Sequence, residues 1–282
     1  MQAIWSASQI QGGRDYQEDF LGVIENNSAI ALGKKQLLED GALPAHQSLY
    51  LLADGMGGMG HGDLAASTVV DVFMASFLEN IAEGLDIRTS LRQALHRSNQ
   101  AILDMITAEP EQSGMGCTLI ALLWDSHLAT VTWISVGDSL LGIQRDGRWL
   151  ALNEKHIWRN LAKKKRAAGE VLDEEEIERI GGALYSAIDG SELSAIDQAD
   201  LSIQQNDVII IASDGLEVLS EDMIEQTINT SLKDAAEGVE INDAFNTVEG
   251  IRSSLFSGVE EQNNHHQDNT SVISIGFFNG LA

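Results

Sequence analysis

The sequence predicts an α+β protein, built as a layered sandwich of antiparallel sheets with helices outermost. Three observations lead there. Short apolar or alternating runs recur near residues 4–10, 19–25, 48–53, 117–124, 128–136, 139–145, 148–152, 207–212 and 270–277, each the length of one strand. Several are joined by turn signals too short for a crossover helix, so neighbouring strands must run antiparallel. Segments with helical periodicity, near 62–80, 87–108, 157–168, 221–231 and 241–256, come in groups and do not alternate with strands.

Taken in order, the chain opens with strands and then places two long helices. It returns to a strand meander whose turns are legible: Asp125-Ser126-His127 separates two strands, and Asp146-Gly147 reads as a hairpin tip. Strands and helices mix in the last third. Residues 156–196 read differently. A basic run, Lys163-Lys164-Lys165-Arg166, is followed by acidic residues from Asp173 to Glu178 and by Gly181-Gly182, which predicts a surface insertion with short helices of its own. The basic run is either a solvated helix face or a docking surface for an anionic substrate. With two prolines and no low-complexity tract to serve as a linker, residues 1–282 read as one domain, despite a length prior of roughly 150 residues per domain.

Charge excludes several functions. The chain has 43 acidic residues against 17 basic ones, a formal net charge of −26. Nucleic-acid binding needs a basic face, and an anionic membrane surface would repel this chain. No secretory leader is recognisable in MQAIWSASQI and no apolar run approaches 18 residues, so a cytoplasmic monomer is expected. Cys117, the sole cysteine, lies in an apolar run and reads as a small core residue; no internal disulfide can form.

Four aspartates share one context. Asp54 follows Leu49-Tyr50-Leu51-Leu52-Ala53, Asp138 follows Trp133-Ile134-Ser135-Val136-Gly137, Asp214 follows Val208-Ile209-Ile210-Ile211-Ala212-Ser213, and Asp268 precedes Thr270-Ser271-Val272-Ile273. Each stands where a buried strand meets a loop, where a rigid strand can aim a carboxylate into a shared cleft. Clustered carboxylates raise one another's pKa values unless positive charge compensates them, and Mg²⁺ or Mn²⁺ suits such oxygen ligands. A pair of such ions can lower the pKa of a water and clamp a phosphoryl group. Arg14, leading into Glu18-Asp19, is a candidate fork for phosphate oxygens.

Together these strings resemble the metal-dependent serine/threonine protein phosphatases of type 2C, the PPM family, in its bacterial form. Gly13-Arg14-Asp15-Tyr16-Gln17-Glu18-Asp19 looks like the opening motif of that family and Ala53-Asp54-Gly55-Met56-Gly57-Gly58 like the second. Gly116-Cys117-Thr118, Val136-Gly137-Asp138-Ser139, Ser213-Asp214-Gly215-Leu216 and Asp268-Asn269-Thr270 follow in the expected order. The resemblance implies a four-layer αββα sandwich and hydrolysis of phosphoserine and phosphothreonine by metal-activated water, with no phosphoenzyme. It implies two core ions, Asp54 bridging them, with Asp214 and Asp268 on the first and the Gly55 carbonyl on the second. Glu18 and Asp19 would act largely through bound water, and Asp138 with Asp214 would form a third, weaker site. Arg14 would bind substrate phosphate, residues 156–196 would be a flap beside the cleft, and a phosphorylated protein and a cognate Ser/Thr kinase would be the partners. Four positions depart from the pattern. Met59 stands where many bacterial members have histidine, with His61 two residues later as a candidate general acid; Asp63 replaces the more usual glutamate at the helix start; Lys155-His156 replaces the usual Asp-His; and Asn206-Asp207 replaces Gly-Asp at a turn.

Two other readings compete. Gly55-Met56-Gly57-Gly58-Met59-Gly60 is a literal G-x-G-x-x-G, but Asp54 would set negative charge beside a pyrophosphate, and the helix from 62 leads into Glu79-Asn80-Ile81-Ala82-Glu83-Gly84, not into a second parallel strand. A catalytically weak regulatory or phosphoprotein-binding module of the same fold is the other; such proteins usually lose the metal acids, which here are all in place.

Overall fold

The computed structural model describes residues 1–25, 28–31, 34–37, 43–57, 61–234 and 241–280. The strands are β1 (Gln2–Ile10), β2 (Phe20–Glu25), β3 (Ser28–Ala31), β4 (Lys34–Leu37), β5 (Gln47–Ala53), β6 (Gly55–Met56), β7 (Gly116–Cys117), β8 (Leu119–Asp125), β9 (Thr130–Val136), β10 (Leu140–Arg145), β11 (Arg148–Ala151), β12 (Asp197–Ser202), β13 (Val208–Ala212) and β14 (Thr270–Phe278). The helices are α1 (Gly62–Ala82), α2 (Ile87–Ala108), α3 (Trp158–Ala167), α4 (Glu174–Ile180), α5 (Glu221–Asp234) and α6 (Ile241–Glu261).

Two antiparallel sheets form the centre. One runs β1-β14-β13-β10-β11 and the other β12-β9-β8-β5-β2-β3-β4. Period-two alternation builds three apolar seams from these strands. Tyr50, Leu52, Ile120 and Leu122 point from the larger sheet onto Ile209, Ile211, Ile273 and Ile275 of the smaller. The alternate residues Leu49, Leu51, Ala121 and Leu123 meet Val69, Phe73, Phe77, Leu91 and Leu95 of α1 and α2. On the far side, Val208, Ile210 and Val272 meet Ile224, Ile228, Ile251 and Leu255 of α5 and α6. The order is helices, sheet, sheet, helices. Strands covered on both faces are mostly apolar, which is why residues 49–53 of β5 and all of β13 read as unbroken hydrophobic runs. Their fully buried leucines and isoleucines contribute roughly 1.5–3 kcal/mol each.

Local signals set the ends. Asp86 caps α2 by accepting from the Thr89 amide at 3.0 Å. Asp146 and Gly147 both take positive φ at the β10–β11 tip, as a tight hairpin requires. α1, 21 residues long and apolar enough by length and composition to cross a membrane, spends that apolarity against the larger sheet and α2.

Three differences from the sequence reading have physical causes. β12 pairs with β9 as an edge strand whose residues Asp-Gln-Ala-Asp-Leu-Ser are half-exposed, leaving too few apolar positions to signal a strand. β3 and β4 are only four residues each. The 156–196 segment is also not all surface. Beyond α4 it re-enters the core, where Ile188 is fully buried and bridges Cys117. Its basic run is partly neutralised locally, Lys164 by Glu154 at 2.6 Å, Lys165 by Glu170 at 3.7 Å, and Arg166 by Glu174.

Candidate active site

Strand register carries the strand-end acids to one end of both sheets. Phe20, just after Asp19, pairs with Ala53, just before Asp54. Leu52 pairs with Ile120, and Leu119 with Val136, which places Asp138 at the same edge. In the other sheet Ala212 pairs with Val272 and Ile10 with Thr270, which brings Asp214, Asp268 and the loop carrying Arg14 together. These are positions scattered from 14 to 268 in the chain, and only antiparallel pairing gathers them.

Each acid is held by its neighbours. The Asp54 amide donates to Thr118 Oγ1 at 3.1 Å while its carbonyl accepts from the Thr118 amide at 2.9 Å. Thr118 Oγ1 also shares a hydrogen bond of 2.7 Å with Ser139 Oγ, next to Asp138. Gly137 sits at φ +103° with Thr118 only 2.6 Å from where a Cβ would stand, so both conformation and space require glycine there. Asp19 is 2% exposed; its Oδ2 accepts from Ser213 Oγ at 2.8 Å and Ser271 Oγ at 2.6 Å. Asn269 organises the adjoining loop, accepting from the Glu18 amide at 2.8 Å and donating to the carbonyls of Gln11 and Tyr16. Gly55 is packed so closely against Gly62 and the Glu18 carbonyl that no side chain could be added.

The electrostatics are those of a crowded anionic site. Burial, then Asp19, Asp214, Asp138 and Asp268, push the Asp54 carboxyl well above its ordinary value. Burial raises Asp19 to about 6 against the opposing pull of the two serine hydroxyls. Burial followed by Asp138, Asp268 and Asp19 raises Asp214 to about 6. Burial raises Glu18 too, with Arg14 opposing. Among the described residues, two buried oxygens, Glu18 Oε1 and Asp19 Oδ1, have no hydrogen-bond partner. Buried anionic oxygens without donors are costly, and a hard cation is the group that would satisfy them. The donor set therefore fits Mg²⁺ or Mn²⁺ in chemistry. Among the described residues no three acidic, histidine or cysteine side chains already stand around one point. Asp268 is turned instead to Arg14, with which it forms an ion pair.

The remaining sequence candidates are placed as follows. The Arg14 side chain is 51% exposed at the rim. His61 opens α1, its carbonyl accepting from the Ala65 amide, and its side chain makes no capping bond. Among the described residues no hydrogen bond joins it to the acids. Gly58, Met59 and Gly60 of the glycine-rich string lie outside the described residues. Cys117 is fully buried in the core, where burial pushes its thiol up, so it is no nucleophile. His156 is buried, and its Nδ1 accepts from the Gly137 amide at 3.1 Å, clamping the Asp138 loop. Sequence reasoning gave no role to Ser213, Ser271, Asn269 or Lys155. The first three sit inside or beside the quoted motifs, which was the available signal; Lys155 was visible only as a departure.

Residues 37–249 match the family model described as protein phosphatase 2C, which is most of the chain. The chain belongs to the protein phosphatase 2C family, enzymes of the serine/threonine phosphatase class. A Streptococcus pyogenes protein assigned to the protein phosphatase 2C type is 26% identical over 243 residues, 84% of this chain and 89% of that one. The serine/threonine phosphatase stp of Listeria monocytogenes is 25% identical over 206 residues, 72% of this chain and 73% of its own. In fold, the chain is similar to the Mycobacterium tuberculosis serine/threonine phosphatase PstP/Ppp, with a TM-score of 0.67, 21% identity, and coverage of 98% of this chain and 99% of that one. The PstP catalytic domain in complex with two manganese ions aligns with the same TM-score of 0.67, at 22% identity over 98% and 99%.

Proposed function

We propose that this chain removes phosphate from phosphoserine and phosphothreonine in proteins, using two divalent cations held by Asp54, Asp214, Asp268, Glu18, Asp19 and the Gly55 carbonyl. The observation that carries the proposal is the convergence of strand-end carboxylates that raise one another's pKa values, together with two buried oxygens, Glu18 Oε1 and Asp19 Oδ1, that have no hydrogen-bond partner among the described residues. The manganese complex of the similarly folded PstP domain supports the same reading. Bound Mg²⁺ or Mn²⁺ would supply charge neutralisation and a lowered pKa for water.

The chain's own groups do the rest. Ser213 and Ser271 hold Asp19 by one oxygen, and among the described residues Oδ1 keeps no hydrogen-bond partner, so it is available to an ion. Thr118 fixes the backbone of Asp54, so its carboxylate is aimed by β5 and not by a mobile loop. Arg14, half in solvent, can exchange Asp268 for a substrate phosphate and hold it by a charge-assisted fork. His61 is the group to test as proton donor to the departing alkoxide. The partners proposed are phosphorylated proteins and a Ser/Thr kinase that acts on them.

Hydrolysis of p-nitrophenyl phosphate and of a phosphothreonine peptide with Mn²⁺ tests the reading. Turnover that EDTA abolishes and thiol alkylation spares is expected. A folded protein that binds phosphopeptide but shows no turnover at any Mn²⁺ concentration would instead be a binding module.

A further inference from the structure

Lys155 occupies a position that the roles above do not use. It precedes His156, whose backbone amide donates to the Gly137 carbonyl at 2.9 Å and whose Nδ1 accepts from the Gly137 amide. That places Lys155 beside the loop carrying Asp138. Its ammonium pairs with Glu217, in the short 3-10 turn that Asp214 opens. The side chain is 24% exposed and so lies mostly under cover between the two loops. It lines a cleft of about 750 Å³ that continues toward the start of α5, where the other charged groups are Glu154 and Asp197 beside Glu217 and Glu221. Glu217 pairs with the ammonium, Glu221 lines the same cleft, and the charges of Asp138 and Asp214 act on it as well.

We infer that Lys155 is the resident cation of the Asp138–Asp214 end of the cluster, a positioning residue standing where a further divalent ion would otherwise be held. The inference rests on the reading that the cluster binds cations. Two carboxylates side by side need positive charge, and it can come from solution or from the chain. A lysine ammonium is a compact point charge on a flexible stem, and here the backbone clamp at Gly137 delivers it at high effective concentration. An ammonium and a divalent ion cannot share the spot without repulsion. The two core ions proposed above, held by Asp54, Asp214, Asp268, Glu18 and Asp19, then make up the whole count. Burial pushes the Lys155 ammonium below its ordinary value, and Asp138, Asp214 and Glu221 oppose that push; the same ammonium opposes the upward push that burial gives Asp138.

The test counts Mn²⁺ per chain by electron paramagnetic resonance of the unbound ion during titration, in wild type, Lys155→Gln, Asp138→Asn and the double variant, each shown to be folded by circular dichroism. Lys155→Gln should hold one more Mn²⁺ than wild type at a free concentration that saturates the latter. Adding Asp138→Asn should remove that extra ion, while Asp138→Asn alone leaves the wild-type count unchanged. Equal counts in wild type and Lys155→Gln, with binding intact, overturn the inference, as does loss of an ion from wild type on Asp138→Asn alone. If neither wild type nor any variant binds Mn²⁺, the cation-site reading itself fails and takes this inference with it.

Discussion

Ser271 Oγ donates to Asp19 Oδ2 at 2.6 Å, across 252 residues of sequence, and so ties the start of β2 to the start of β14 beneath the acidic site. Ser213 reaches the same oxygen from the end of β13. Replacing Ser271 with alanine leaves a buried carboxylate oxygen short of a donor, at a cost of about 1–3 kcal/mol. Urea denaturation of Ser271→Ala and Ser213→Ala should show losses in that range. The double variant should deviate from additivity because both hydroxyls serve one oxygen; strictly additive losses would argue that the two bonds are independent.

Asp214→Asn separates the catalytic role of that carboxyl from its structural one. Turnover should fall on the order of 10²-fold or more if Asp214 holds the ions. The metal-free protein should melt no lower than wild type, because a charge repelled by Asp138, Asp268 and Asp19 has been removed. Near-wild-type rates from the folded variant would defeat the assignment.

Arg14→Ala tests the phosphate fork. The exposed pair with Asp268 contributes roughly 0–1 kcal/mol, so stability should hardly change. KM for a phosphopeptide should rise on the order of tenfold, the loss expected for one charge-assisted contact. Mn²⁺ affinity should hold or tighten as Asp268 is released. A collapse of Mn²⁺ affinity at constant KM would place Arg14 in the ion site instead.

Protons and cations compete for the same oxygens. Asp19 and Asp214 keep protons up to about 6 in the metal-free fold, against roughly 3.9 in an unfolded chain. The folded state therefore binds more protons. That contribution to stability is present below about pH 4 and is lost as pH rises through about 6. Added Mn²⁺ should raise Tm by several degrees at about pH 7.5 and by far less at about pH 5, read by differential scanning fluorimetry. An equal rise at both would mean that the ion binds elsewhere.

Much of this was legible before folding. The apolar runs that precede Asp54, Asp138 and Asp214 already located the strands and the rim, because a strand buried on both faces is mostly apolar and an acid just past its end stands in a loop. What could not be read was which groups neutralise the acids. Ser213 and Ser271 look like ordinary strand-end serines until β2, β13 and β14 converge on Asp19. β12 carried too little apolar residue to announce itself, since its place at a sheet edge asks little of its side chains.

By itself, then, the sequence determined the layers and the order of the strand-end acids, since both follow from short-range alternation and turn chemistry. Tertiary structure alone decided that Asp268 faces Arg14, that His156 clamps Gly137, and that Lys155 pairs with Glu217 within reach of the charges of Asp138 and Asp214. Those pairings depend on how loops from distant strands meet in space, and the energy of a charge depends on what surrounds it more than on what adjoins it in the chain.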